Sequence, residues 1–110
     1  MEKINQETQE KIQQLQIFEQ NLQNLMLQKQ AFQMELSEVE NALKEIVKTN
    51  EDIYKLIGQV MIKTSKTEME KELKQKKDII ELRIKSIEKQ EKQFRGESET
   101  LREEVVKSIK

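Results

Sequence analysis

The 110 residues carry little apolar material for a globular core, since 35% are hydrophobic and 4% aromatic while 37% are charged. Abundant Glu, Lys and Gln, no Pro and only two Gly are typical of long helices and coiled coils. The net charge of −1 indicates no general attraction to nucleic acid or an anionic membrane, and the lack of His and Cys argues against catalysis, a metal or another cofactor.

The chain begins without the basic and apolar regions of a signal peptide. No apolar run elsewhere approaches the ~20 residues that a membrane-spanning helix needs. We therefore expect a cytoplasmic protein that does not contact a membrane.

The first predicted element is a helix within residues 1–50. Its apolar residues recur at alternating steps of three and four, which is the heptad pattern of a coiled-coil seam. The row consists of Leu15, Phe18, Leu22, Leu25, Phe32, Leu36, Val39, Leu43 and Ile46. Lys29 occupies one position of this row, where it either extends its ammonium group to the edge of the seam or fixes the register of pairing. Before Leu15 the row weakens, because Thr8 and Lys11 take its positions.

The second predicted element is a connector over residues 51–66, where the helical period stops. Frequent β-branched residues around a central glycine predict two short strands about a tight turn at Ile57–Gly58–Gln59. Gly58 would supply a positive φ at little steric cost. The alternative is a plain loop joining two helices.

Both faces of this predicted hairpin are apolar. Alternation places Tyr54, Leu56, Val60 and Ile62 on one face and Ile53, Ile57 and Met61 on the other. An isolated two-stranded hairpin is marginal in water. We therefore predict subunit assembly through Ile53, Tyr54, Leu56, Ile57, Gly58, Val60, Met61 and Ile62.

The third predicted element is a helix over residues 67–110. Its main apolar row repeats every seven residues, whereas a companion row is mixed, so its seam is narrower than that of the first helix. The seam residues are Leu73, Ile80, Ile84, Ile87 and Phe94, and the mixed row also holds Lys77, Glu91, Ser98 and Val105. Thr67 with Glu70 predicts the N-terminal cap, with Ser65 and Glu68 as a competing start. Gly96 marks either a soft point in this helix or a tolerated glycine.

A short connector between helices of nearly equal length predicts antiparallel neighbours. The net acidic first half and the net basic second half favour this pairing. A narrow seam cannot cover all the apolar residues near the two termini, partly because Val105 and Val106 are adjacent. Exposed apolar groups rimmed by charge mark a protein-contact site, although a frayed end is the alternative. The residues concerned are Ile4, Ile12, Leu101, Val105, Val106 and Ile109.

The sequence resembles the prefoldin family, the hexameric co-chaperones of archaea and eukaryotes, and within it the β class. The resemblance covers essentially the whole chain in order. Its helical segments are residues 28–30, 34–36, 42–46 and 81–91, and its hairpin segments are residues 53–55, Gly58 and residues 60–62. The most specific of these is the Tyr-Lys-x-x-Gly hairpin between equal helices.

The resemblance implies a single domain in a hetero-hexamer of two α-class and four β-class subunits. The hairpins would join into β-barrels from which the antiparallel coiled coils extend. The tips of the coils would capture unfolded client proteins and pass them to a group II chaperonin without using a nucleotide. One hairpin matches the β class, because α-class subunits carry two, whereas Gly96 departs from the family pattern.

Three other functions fit the sequence less well than that of a co-chaperone. A helical hairpin that binds RNA would use the ten Lys and three Arg of the second helix, but eleven interleaved acidic residues favour a solvated face. A structural coiled-coil spacer would have no exposed apolar tip and no oligomer through residues 53–64. An enzyme is disfavoured, because the carboxylates are scattered and Tyr54 is the one Tyr.

Overall fold

The computed structural model describes residues 5–109. Its element order is α1 (Gln6–Lys48), β1 (Ile53–Ile57), β2 (Val60–Thr64) and α2 (Lys66–Ile109). The two strands form one antiparallel two-stranded sheet. The predicted fold class, two long helices about a short central hairpin, is therefore confirmed.

The chain divides into two compact units. Residues 31–84, here called the hairpin unit, contain both strands and the helical turns next to them. Residues 1–30 together with 85–110 form the other, here called the terminal unit. Each unit takes one part from α1 and one from α2.

The apolar seam of the hairpin unit forms a continuous core. Val39 and Ile46 of α1 and Leu73 and Ile80 of α2 are buried together. Further seam residues pack against them, and these include Phe32, Leu36, Leu43, Met69 and Ile84. Heptad spacing brings these side chains onto one stripe of each helix, and pairing removes both stripes from water.

In the terminal unit the two helices also run antiparallel. Phe18 lies against Phe94 with ring centroids 5.9 Å apart, and Lys11 lies 3.4 Å from Glu104. An earlier position on α1 thus meets a later position on α2. Across both units, every residue predicted for the seam is buried or half-buried.

Both helices begin at a side chain that accepts a hydrogen bond from a free backbone N–H group. Asn5 Oδ1 accepts from the amide of Thr8 at 2.7 Å, and Ser65 Oγ accepts from the amide of Glu68 at 3.1 Å. The predicted cap at Thr67 is wrong, because α2 already begins at Lys66. Ser65 directly follows β2, so its side chain is the first polar group able to cap the helix.

Replacing Ser65 by Ala should lower the free energy of unfolding by about 1 kcal/mol, because the amide of Glu68 loses its acceptor. Thr67→Ala should change it by less than about 0.5 kcal/mol, because Thr67 lies exposed inside the helix. Urea unfolding followed by circular dichroism, at one protein concentration, measures both. Equal losses in the two variants would contradict the assignment of the cap to Ser65.

The hairpin turn contains two residues, Gly58 and Gln59, because Ile57 pairs directly with Val60. Gly58 has φ 60°, and among residues 5–109 it is the one residue with a positive φ. A positive φ at the first central position alone is the pattern of a type II′ turn, whose twist matches that of the strands. The turn is therefore one residue shorter than the predicted Ile57–Gly58–Gln59.

This shorter turn changes which residues share a face of the sheet. Directly opposed residues lie on the same face, and Leu56 opposes Met61 while Ile57 opposes Val60. One face thus carries Tyr54, Leu56 and Met61, and the other carries Ile53, Ile57, Val60 and Ile62. The predicted grouping of Val60 and Ile62 with Tyr54 and Leu56 is wrong, because a one-residue change in the turn moves all of β2 to the opposite face.

Candidate protein-interaction surfaces

The hairpin exposes a dense group of apolar side chains. Their exposed fractions run from 43% for Ile62 to 70% for Leu56. We call this group the hairpin surface, and it consists of Tyr54, Leu56, Ile57, Val60, Met61 and Ile62. Of the other predicted assembly residues, Gly58 lies exposed in the turn and Ile53 is half-buried.

Two contacts in the hairpin unit hold the strands on the helices. Ile53 packs against the core cluster, and Lys55 Nζ lies 3.0 Å from Glu72 Oε1. A separate hydrogen bond, from Lys66 Nζ of α2 to the carbonyl oxygen of Val47 of α1 at 3.1 Å, joins the two helices. Exposed ion pairs contribute little each, so the packing of Ile53 is the main anchor. The hairpin is thereby presented on a folded support with its apolar groups facing outward.

The hairpin surface has the features of an unfilled interface. Each strand of this two-stranded sheet pairs on one side only, which leaves one edge per strand open to another strand. Both faces carry apolar groups, so covering one face would still leave the other in water. Contiguous exposed apolar groups of this kind mark sites of protein contact. The arrangement suits a sheet that is completed by other chains.

Near the chain termini, some of the residues predicted to bind clients are exposed and others are buried or half-buried. Val106 and Ile109 are 44% and 55% exposed, whereas Val105 is 7% exposed. Ile12 and Leu101 are half-buried, and Ile4 lies outside the described residues. We call Val106 and Ile109 the α2 end pair.

The prediction that Val105 is an exposed client-binding residue is wrong. It lies seven residues after Ser98 and fourteen after Glu91, and all three are buried in the terminal unit. Leu101, seven residues after Phe94, likewise continues the main row of α2. The seam of α2 was underestimated because two of its buried positions carry polar side chains, which an apolar count does not detect.

The seam of α1 also extends further than the apolar pattern shows. Thr8 is buried although it is polar, and Lys11 is half-buried between Glu7 at 3.6 Å and Glu104 at 3.4 Å. Both residues keep the alternating spacing that leads to Leu15. For this N-terminal part of the seam, the heptad spacing of the residues, rather than their hydrophobicity, indicated the buried positions.

Lys29 does not extend to the edge of the coil, so that interpretation is wrong. Its Nζ lies 2.8 Å from Oε1 of Glu91, and the two side chains are 22% and 4% exposed. Arg95, one turn after Glu91, places its guanidinium 3.9 Å from Oε2. The terminal unit therefore contains a partly buried ion pair, and its buried acidic member was not identified as a seam residue from the sequence.

Gly96 lies within α2, and the helix continues through it. A Cβ added at Gly96 would meet no atom within 4 Å, so close packing does not require a glycine here. The position borders an open groove of about 530 Å³ whose apolar lining is Phe18 and Leu101. Of the two interpretations, a tolerated glycine agrees with the continuous helix and the open space beside it.

Within residues 5–109, neither α1 nor α2 contains a stretch long and apolar enough to cross a membrane. Within the same part of the chain, no group of three acidic side chains is arranged to hold a metal ion.

The structure is that of a two-helix coiled coil with a central β-hairpin, and known proteins share this fold. The family model described as prefoldin subunit matches residues 9–110. Prefoldin subunit beta of Thermococcus onnurineus is 35% identical over 112 aligned positions, which cover 100% of this chain and 97% of the relative. That of Pyrobaculum islandicum is 40% identical over 90, covering 80% and 72%.

Solved structures agree with these sequence relatives. The crystal structure of the prefoldin beta subunit from Thermococcus strain KS-1 matches with a TM-score of 0.91 and 32% identity, covering 100% of this chain and 98% of that one. The beta2 subunit of the same strain has a TM-score of 0.72 at 19% identity, covering 79% and 95%, and shows the shared fold alone.

The chain belongs to the prefoldin family, and the relatives that it matches are β subunits. Prefoldins are chaperones rather than enzymes, and their β subunits form hetero-oligomers with other prefoldin subunits. The resemblance inferred from the hairpin and heptad residues is confirmed.

Proposed function

We propose that this chain is a cytoplasmic co-chaperone subunit that captures unfolded proteins and delivers them to a group II chaperonin without using a nucleotide. Its working form is a hetero-hexamer of two α-class and four β-class subunits. The observation that carries the proposal is the hairpin surface, which leaves apolar side chains exposed on both faces of a marginal sheet. Membership of the prefoldin family supports the same function.

Assembly proceeds through the strands in this proposal. Hairpins from several subunits pair edge to edge and close into β-barrels, which removes the open edges and covers the apolar faces. The anchoring of Ile53 on the helical core supports this role, because it holds each hairpin ready for pairing. The energy of assembly comes from burial of the hairpin surface.

Clients are held by exposed apolar groups near the chain termini. The α2 end pair is the well-exposed part of this surface among residues 5–109, and half-buried Ile12 and, from the sequence, Ile4 contribute to it. Each contact is weak, because the apolar area of one subunit is small. Several subunits acting on one unfolded chain bind through avidity, so single contacts are released easily and the client can pass to the chaperonin.

Replacing Val106 and Ile109 together by Ser should leave the hexamer intact but weaken suppression of aggregation several-fold. The physical reason is that the variant removes apolar contact area for the client while changing exposed positions only. Val105 is left unchanged, because Ser at this buried position would disturb the seam. Light scattering of a chemically unfolded test protein, diluted into increasing amounts of assembled hexamer, measures the effect.

The matched control is Ile79→Ser with Leu82→Ser, two exposed apolar residues of the same helix within the hairpin unit. This control should suppress aggregation as well as the unchanged hexamer does. Unaltered suppression by the Val106–Ile109 variant would show that the α2 end pair does not hold clients. A loss of suppression accompanied by loss of the hexamer would instead identify these residues as part of the assembly.

A further inference from the structure

One partly buried ion pair crosses the seam of the terminal unit. Lys29 Nζ lies 2.8 Å from Glu91 Oε1, and only 4% of the Glu91 side chain is exposed. The rest of the α1 row from Leu15 to Ile46 is apolar. Within the row from Leu15 to Ile46, this pair is thus the one position at which a charged contact replaces an apolar contact with α2.

The apolar seam on its own selects its register weakly. In the main apolar row of α2, Leu, Ile and Phe recur every seven residues, so sliding the helix by a heptad replaces each contact of this row with a similar one. The covalent connection between the helices is a two-stranded hairpin, which has little stability of its own. The hairpin can therefore rearrange at little cost in free energy, and it does little to prevent α1 and α2 from pairing in a shifted register in the terminal unit.

The charged pair distinguishes the registers sharply. A shift of one heptad would place Lys29 opposite Ser98 or Ile84, neither of which carries a charge. The same shift would place Glu91 opposite Leu36 or Leu22. Either direction leaves the buried Glu91 carboxylate and the half-buried Lys29 ammonium without their partners, which is unfavourable.

We propose that the Lys29–Glu91 pair selects the register in which α1 and α2 associate in the terminal unit. Its contribution is to specificity rather than to net stability, because removing two charges from water offsets much of their attraction. A single polar pair in an apolar seam has this effect in coiled coils generally. The pair thereby determines which side chains of α1 meet which side chains of α2.

The chain contains no Cys, so introduced cysteine pairs can report the register directly. Nη2 of exposed Arg102 lies 3.4 Å from Oε1 of exposed Glu19, so these positions are neighbours in the native register and Glu19→Cys with Arg102→Cys reports it. Glu19→Cys with Ile109→Cys reports a shift of one heptad in one direction. Lys11→Cys with Glu97→Cys reports the opposite shift, because the native neighbour of Lys11 is Glu104. Disulfide formation is read by mass spectrometry of the full chain.

With Lys29 and Glu91 present, the native reporter should oxidise and the two shifted reporters should not. In a Lys29→Leu, Glu91→Leu background, the shifted reporters should oxidise at least about tenfold more, while the helix content is retained. Shifted reporters that stay unreactive in this background would overturn the proposal.

The exchanged pair, Lys29→Glu with Glu91→Lys, separates charge pairing from side-chain size. It should keep the native register, since opposite charges still meet. Shifted disulfides in the exchanged variant would also overturn the proposal. Because none of these readouts involves a client or another subunit, the result does not depend on the proposed co-chaperone function.

Discussion

Val60→Asp is expected to abolish assembly of the hexamer while leaving the helices of the single chain folded. Val60 is 60% exposed in the isolated chain, so a carboxylate there remains in water. In a closed barrel the same carboxylate would be buried without a partner, which costs several kcal/mol of free energy per site. Every β-class subunit of the assembly would carry this cost. Light scattering coupled to size-exclusion chromatography, after mixing with an α-class subunit, measures the mass of the product.

Two matched variants make this experiment more informative. Met61 is adjacent to Val60, similarly exposed and on the opposite face of the hairpin, so Met61→Asp tests whether that face is covered as well. Ile17→Asp introduces the same charge at an exposed position of the terminal unit and should leave assembly unchanged. A hexamer that still forms with both Val60→Asp and Met61→Asp would contradict assembly through the hairpin surface.

The architecture was predictable because three independent signals in the sequence agree. The strict heptad of α1 demands a partner helix, the change of period after residue 50 ends that helix, and Gly58 permits a tight turn at the centre of the connector. Each signal is local and each leads to the same antiparallel arrangement. A fold can be predicted from a single sequence when separate local signals agree in this way.

The face assignment of the hairpin was not predictable from the same data. A turn of two or three residues fits the pattern around Gly58 equally well, since both strands carry apolar residues at consecutive positions. Where one face is apolar and the other polar, burial reveals the register, and here that contrast is missing. The two-residue turn became evident only from the pairing of Ile57 with Val60.

The terminal unit was harder to predict because its buried positions are partly polar. Glu91 and Ser98 read as gaps in the apolar row of α2, so Val105 beyond them was assigned to an exposed surface. Burial of Glu91 is possible because Lys29 arrives from the other helix to pair with it. A carboxylate whose partner lies 62 residues away in sequence cannot be recognised from the periodicity of its own helix.

A second large effect is expected in the core of the hairpin unit, where Ile80→Ala should lower the free energy of unfolding by about 2–5 kcal/mol. Ile80 is 3% exposed and belongs to the cluster with Val39, Ile46 and Leu73. The core of a two-helix coil is thin, so few neighbouring side chains can move to fill the space left by the missing atoms. Since small domains have a total stability of roughly 5–15 kcal/mol, this variant should unfold at a much lower urea concentration.

The neighbouring residue supplies the control for this prediction. Ile79 is 52% exposed on the adjacent position of the same helix, so Ile79→Ala removes the same atoms from solvent rather than from the core. Its effect should stay within about 0.5 kcal/mol, because alanine also favours the helix slightly. Urea unfolding followed by circular dichroism, with all variants at one protein concentration, compares the two. Similar losses in the free energy of unfolding at both positions would mean that Ile80 is not packed between α1 and α2 in solution. The core of the hairpin unit would then consist of other residues.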